Sequence, residues 1–341
     1  MKIIVCTGDS HTCGQGASSI KTRDIPKDPN RIYRTAGKGI SRGGDLEYPS
    51  YVNLVRKYIA ENTDSCYALS SGSQLAEQTG YPCENAAVKL AGELTLPAGW
   101  DWHLVCFAEA LEPAEVEIWI DGRLAKTELL STPLPRYNDW SFRNVPIFCE
   151  GAGEVKLVPK SGQVWISHIQ HDRGQYAVVN SGVGACSTRR YLDECFDYCI
   201  GDFCPDFVIA EAQTINDWIH YDAPQTHANT LNEMVDRCLA LGAKVMLVTV
   251  APIEGRQESA KFGCLYGDFM AQAIQVGQRK DLIFADANAA FCRELEKIPV
   301  EDRWEQMYVD NWHVNGKGHR LYADVIIQNL PQLFDVDNST Y

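Results

Sequence analysis

The sequence predicts an α/β protein: a doubly wound, five-stranded parallel sheet with a β-rich block nested inside it. Three observations carry that expectation. Short apolar runs alternate with helical periods of ten or more residues towards both ends of the chain, and strands so separated need crossover connections and pair in parallel. Between residues 83 and 171 this texture gives way to period-two alternation, tight-turn signals and six prolines, and no helical period survives. Polar clusters fall at the expected carboxyl ends of the strands, where open α/β sheets collect their functional groups.

In chain order, an apolar strand at Ile3–Cys6 runs into Gly8-Asp9-Ser10. A loop rich in Gly, Arg and Ser follows to about Tyr48. Tyr51, Leu54, Val55, Tyr58 and Ile59 then recur at helical spacing, predicting a helix from Pro49 to about Asn62. Within the β-rich block, Glu115–Ile120 alternates polar and apolar residues and stops at Asp121-Gly122, a two-residue hairpin signal, before Arg123 begins the return strand. Lys160-Ser161-Gly162 separates expected strands at Glu154–Val158 and Gln163–Ile169. The block is long enough for a small sandwich, and Trp100, Trp102, Trp119, Trp140 and Trp165 read as its core.

After Tyr176 the first texture returns. Strands are expected at Ala177–Asn180, Asp206–Ala210, Lys244–Val250 and Leu282–Ala285. Helices are expected at Thr188–Tyr198, Asn229–Leu241 (with Gly242 as cap), Leu265–Gly277, Ala289–Lys297 and Gly316–Leu330. Asn216-Asp217 reads as a turn past the third strand. The plan is therefore one domain made of residues 1–82 and 172–341, with a sandwich-like domain at 83–171 inserted into it.

Composition narrows the function. Of 341 residues, 45% are hydrophobic and 22% charged, the balance of a globular chain with a sizeable core. A net charge of −14 repels polyphosphate, so neither nucleic acid nor an anionic membrane is an expected partner. No run approaches the roughly 20 apolar residues of a membrane span, and the N-terminus does not read as a signal peptide. The thirteen cysteines are an odd number, set inside predicted strands and helices, where reduced thiols pack as small hydrophobes. These features predict a cytoplasmic protein. Cys195, Cys199 and Cys204 match no zinc or iron–sulfur spacing, and neither a metal nor a cofactor is expected.

The clusters at the strand ends suit acyl transfer. A serine hydroxyl is a poor nucleophile until an imidazole takes its proton, and the imidazole needs an acceptor that fixes its tautomer. Asp310 and His313, three residues apart, can pair through Nδ1 and leave Nε2 for Ser10. The backbone N–H of Ser10, one in the turn after Asn180, and the Asn216 amide can serve an oxyanion.

The same residues carry a family resemblance. Gly8-Asp9-Ser10-His11 resembles the first block of the GDSL/SGNH hydrolases, and Asn180-Ser181-Gly182-Val183-Gly184-Ala185 the second. Thr214-Ile215-Asn216-Asp217 is similar to their G-x-N-D block, and Asp310-x-x-His313 to the terminal block. The resemblance covers about 1–80 and 172–335. It implies a flavodoxin-like sheet and metal-free ester hydrolysis through an acyl-serine, with Ser10 as nucleophile and Asp310 and His313 as acid and base. Ser10, Ala185 and Asn216 would line the oxyanion hole, with Gly184 replacing Ala185 if the turn demands positive φ. Three residues depart from the pattern: His11 stands for a leucine, and Ala185 and Thr214 for glycines.

The expected substrate is a short-acyl, acetyl-type ester of a carbohydrate or similar polar alcohol. A thioesterase or lysophospholipase on the same triad is the alternative enzyme, and an inactive hydrolase scaffold that binds carbohydrate is the alternative of another class. Homo-oligomerisation through the β-rich block is compatible with any of these. His11 is expected to point away from the nucleophile, and His319 to face outward from the last helix. His168, His171, His220 and His227 have no carboxylate partner that the sequence identifies.

Overall fold

The structure, a computed structural model, describes residues 1–14, 17, 50–71, 83–84, 87–110, 113–131, 140–254, 258 and 261–334. The stretch to Tyr48 that reads as a loop and the Trp140 side chain lie outside the described residues. Two compact units divide the chain, one drawn from Ile59–Ala177 and the other from described residues on either side of it.

The flanking unit is the α/β part. Its five strands, β1 (Lys2–Gly8), β2 (Tyr176–Gly182), β3 (Phe207–Glu211), β4 (Lys244–Val248) and β5 (Ile283–Ala285), lie in the order β2-β1-β3-β4-β5. β1 pairs parallel with β3, β3 with β4, and β4 with β5. This 2-1-3-4-5 order is the flavodoxin-like one, whose strand order reverses between β1 and β3. Burial explains the apolar runs: β2 and β3 are buried at every residue, as strands covered on both faces must be.

The helices, in chain order, are α1 (Ser10–Cys13), α2 (Tyr51–Asn62), α3 (Thr188–Glu194), α4 (Phe196–Cys199), α5 (Thr214–His220), α6 (Pro224–Ala240), α7 (Tyr266–Gly277), α8 (Ala287–Glu296), α9 (Arg303–Met307) and α10 (Gly316–Leu333). Several differ from expectation, among them α1 and α9, short helices that the sequence does not predict. The helix predicted at Thr188–Tyr198 breaks at Cys195, whose φ of −125° leaves the helical region. α6 starts five residues early because Pro224, with its preset φ, suits a first helical turn. Asn216 and Asp217 lie in α5 rather than in a turn, after Gln213 enters the left-handed region at φ 50°.

The Ile59–Ala177 unit is antiparallel. A four-stranded sheet runs in the order Leu94–Leu96, Val155–Ser161, Ala114–Ile120, Arg123–Leu130. A second sheet centres on Val164–Gly174, which pairs with Trp102–Ala110, Ala87–Leu90 and Ser65–Ser71. Asp121 and Gly122 both take positive φ, 49° and 73°, the twist a two-residue hairpin requires. One buried cluster draws on both sheets, with Val105, Phe107 and Ile166 from one and Val116, Ile118 and Leu157 from the other. The expectation that tryptophans fill this core is corrected. Trp102 is fully buried outside the cluster, and Trp119 sits on the half-buried face beside Glu115 and Glu117. Valine, isoleucine and leucine side chains make up most of the cluster.

Candidate active site

The site stands at the carboxyl end of β1, beside β3, where the strand order reverses. Asp9 caps α1, its carboxylate accepting the His11 backbone N–H at 3.1 Å. Gly8 permits the crossing: a Cβ there would collide with the Thr12 hydroxyl and the Glu211 side chain. Ser10 opens α1 and is 7% exposed.

Ser10 Oγ lies 2.9 Å from His313 Nε2. His313 Nδ1 lies 2.9 and 2.8 Å from the two oxygens of Asp310. A carboxylate only accepts, so Nδ1 carries the proton and Nε2 is left to accept from Ser10. Asp310 Oδ1 also accepts the backbone N–H groups of Trp312 (2.9 Å) and His313 (2.8 Å), which folds the four-residue loop onto its own carboxylate. Burial pushes the Asp310 carboxyl up, but the hydrogen bond and charge of His313, with these N–H groups, hold it below the usual carboxylate range.

The residues expected at an oxyanion hole divide. Asn216 Nδ2 donates to Asp9 Oδ2 at 2.6 Å, and an amide has a second N–H to give. Asn180 braces the next turn, donating to the Thr12 carbonyl (2.8 Å) and accepting the Gly182 N–H (3.1 Å). In that turn Gly184 is buried. Ala185 is exposed and takes φ 51°, so a turn that demands positive φ carries a Cβ here. Thr214, which stands where the resembled motif has a glycine, is fully buried with its hydroxyl 3.4 Å from His227 Nε2.

Two histidines, His227 and His319, depart from expectation. His11 points back into the fold, with Nδ1 3.3 Å from Asp9 Oδ1 and 3.4 Å from Glu211 Oε1, and Nε2 2.9 Å from the Trp312 carbonyl. His227 has a carboxylate: Asp217 Oδ2 at 2.6 Å, both fully buried. The Asp217 carboxylate also accepts Thr188 N (2.7 Å) and Oγ1 (2.6 Å), serving the start of α3. His319 is fully buried, not outward, and its Nδ1 accepts the Tyr51 N–H at 3.3 Å. Glu211 was legible only as a carboxylate ending an all-buried strand. Its Oε2 accepts Thr12 Oγ1 (2.5 Å) and the N–H groups of Asp9 (3.2 Å) and Thr12 (3.3 Å). Among the described residues, Asp9, His11 and Glu211 form the one group whose ligand atoms gather closely enough to hold a metal ion. The hydrogen bonds they already make suit a shared proton.

No family model and no curated protein matches the chain. Among solved structures it is similar to a peptidoglycan O-acetylesterase, at 16% identity and a TM-score of 0.49 over 98% of this chain and 92% of that one. A Bacillus subtilis protein shares 13% identity at a TM-score of 0.46, over 80% and 89% of the two chains. An acetylxylan esterase from Geobacillus stearothermophilus shares 19% identity at a TM-score of 0.38, over 46% and 72%. No described helix is long and apolar enough to cross a membrane.

Proposed function

We propose that this chain is a serine hydrolase of the GDSL/SGNH type that cleaves carboxylic esters through an acyl-serine. The observation that carries this is the continuous hydrogen-bonded path from Ser10 Oγ through His313 to Asp310. Ser10 Oγ attacks the ester carbonyl carbon while His313 Nε2 takes its proton, and the Asp310 carboxylate steadies the resulting imidazolium. The Ser10 N–H and the free N–H of Asn216 serve the oxyanion, joined by an N–H of the 184–185 turn. That third donor is the N–H of Gly184 or of Ala185, which takes φ 51°. His313 then protonates the departing alcohol, and a water deprotonated by His313 releases the carboxylic acid and restores Ser10.

The ester we assign is a short acyl group, acetyl first, on a sugar or similar polar alcohol, following the family resemblance of the four sequence blocks. Residues 83–171, with the strand Ser65–Ser71, read as a sandwich-like insertion between two parts of the hydrolase domain.

Hydrolysis of p-nitrophenyl esters from acetyl to decanoyl, wild type beside Ser10→Ala, tests the reading. Acetyl should be cleaved fastest, and Ser10→Ala should lower kcat by roughly a thousandfold or more. Preference for long chains would move the assignment to a thioesterase or lysophospholipase. Equal rates in the two proteins would remove Ser10 from the mechanism.

A further inference from the structure

His11 follows the nucleophile directly, yet the proton path through His313 does not use it. Its two nitrogens face only acceptors. Nδ1 lies against the carboxylates of Asp9 and Glu211, and Nε2 against a backbone carbonyl that cannot donate. Both nitrogens therefore carry protons, and the ring is an imidazolium. The carbonyl belongs to Trp312, inside the loop whose two ends are Asp310 and His313.

Asp9 Oδ2 takes the Asn216 amide and Glu211 Oε2 takes Thr12, while Glu211 Oε1 makes no hydrogen bond and faces the imidazolium at 3.4 Å. We infer that His11 is a positioning residue, a permanently charged brace that ties the Asp9–Glu211 carboxyl pair to the loop presenting Asp310 and His313. The inference rests on the proposed triad. It deepens it by explaining how a loop some 300 residues downstream of Ser10 keeps its imidazole 2.9 Å from Oγ.

Electrostatics supports the geometry. Burial works against the charge on His11, but hydrogen bonds to Asp9 and Glu211 outweigh it and push its pKa up to about 10. Burial and the charge of Asp9 push the Glu211 carboxyl up, and the hydrogen bond and charge of His11 act against that shift. The other groups around the ring are His313, with ring centroids 5.5 Å apart, Asp310 behind it, and Tyr322 of α10 at 5.8 Å. Tyr322 is held neutral by burial.

Two measurements decide the proposal. Imidazole nitrogen spectra of the wild-type chain from pH 5 to 9 should show both His11 nitrogens protonated throughout. Titration of His11 near the ordinary histidine value of about 6.5 would overturn it. The second is His11→Gln, which keeps a donor but no charge. Its kcat should fall about tenfold to a hundredfold with KM nearly unchanged, as expected when a reacting group is misplaced while substrate binding is intact. The acid limb of its kcat/KM profile should move to higher pH, because a cation beside His313 is gone while Asp9 and Glu211 remain. A folded His11→Gln protein with the wild-type kcat and profile would reduce His11 to packing and sink the brace. Should the wild type hydrolyse no ester, the esterase reading fails separately. The brace is then judged by the wild-type spectra and by the His313 Nδ1 proton signal, which should shift or broaden in His11→Gln and would count against the brace if unchanged.

Discussion

Ala185 holds a left-handed backbone at φ 51° with a Cβ attached, a conformation that costs a non-glycine residue about 1–2 kcal/mol. Replacing it with glycine relieves that strain and adds chain freedom to the unfolded state. Ala185→Gly should therefore stabilise the protein by about 1 kcal/mol or less, read as a higher urea midpoint. A lower midpoint would show that the turn needs its methyl group. At Asp310 the effect is electrostatic. Asparagine keeps the shape but can donate towards Nδ1, favouring the wrong tautomer of His313, and Asp310→Asn should lower kcat by about 10⁴ with little change in stability. Wild-type turnover in that variant would remove Asp310 from the triad. Ser10, Asp310 and His313, the triad we propose, could be singled out in the sequence because their types and order match what acyl transfer requires. The brace could not. Thr12 and Glu211 lie 199 positions apart, and nothing in local patterning signals a bond of that length.

The turn between β2 and α3 depends on an element outside it. One carboxylate of α5, Asp217, takes Thr188 N, Thr188 Oγ1 and His227 Nδ1, all buried, and so fixes where α3 begins. Asp217→Ala leaves these donors without an acceptor and should destabilise the protein by about 2–4 kcal/mol in urea unfolding. A loss below about 0.5 kcal/mol would mean that the turn stands without this carboxylate. Local signals explain what could be foreseen among the elements. Strands buried on both faces read as continuous apolar runs, and Pro and Gly marked several ends. α5 escaped because Asn and Asp are turn residues by propensity, and here tertiary hydrogen bonds to Asp9 and Thr188 override that propensity.

Over the whole molecule, buried histidines set opposing pH limits. His103 and His171 face each other through Nδ1 at 2.7 Å, and burial keeps both neutral, down to about 3 and about 4. Folded values below the unfolded one mean stability present above about 6.5 and lost as pH falls towards 4 and 3. His11 has the opposite sign: its folded value of about 10 gives stability present below about 6.5 and lost as pH rises towards 10. The urea midpoint should therefore peak near neutrality and fall on both sides, and a midpoint still rising at pH 5 would contradict this.

The central claim is that Ser10 is an activated nucleophile, and covalent labelling tests it most directly. The wild-type chain, treated with a fluorophosphonate and measured by intact mass and peptide mapping, should gain one adduct on the peptide carrying Ser10. His313→Ala should label far more slowly and Ser10→Ala not at all. An adduct at another residue, or equal labelling of Ser10→Ala, would contradict the account.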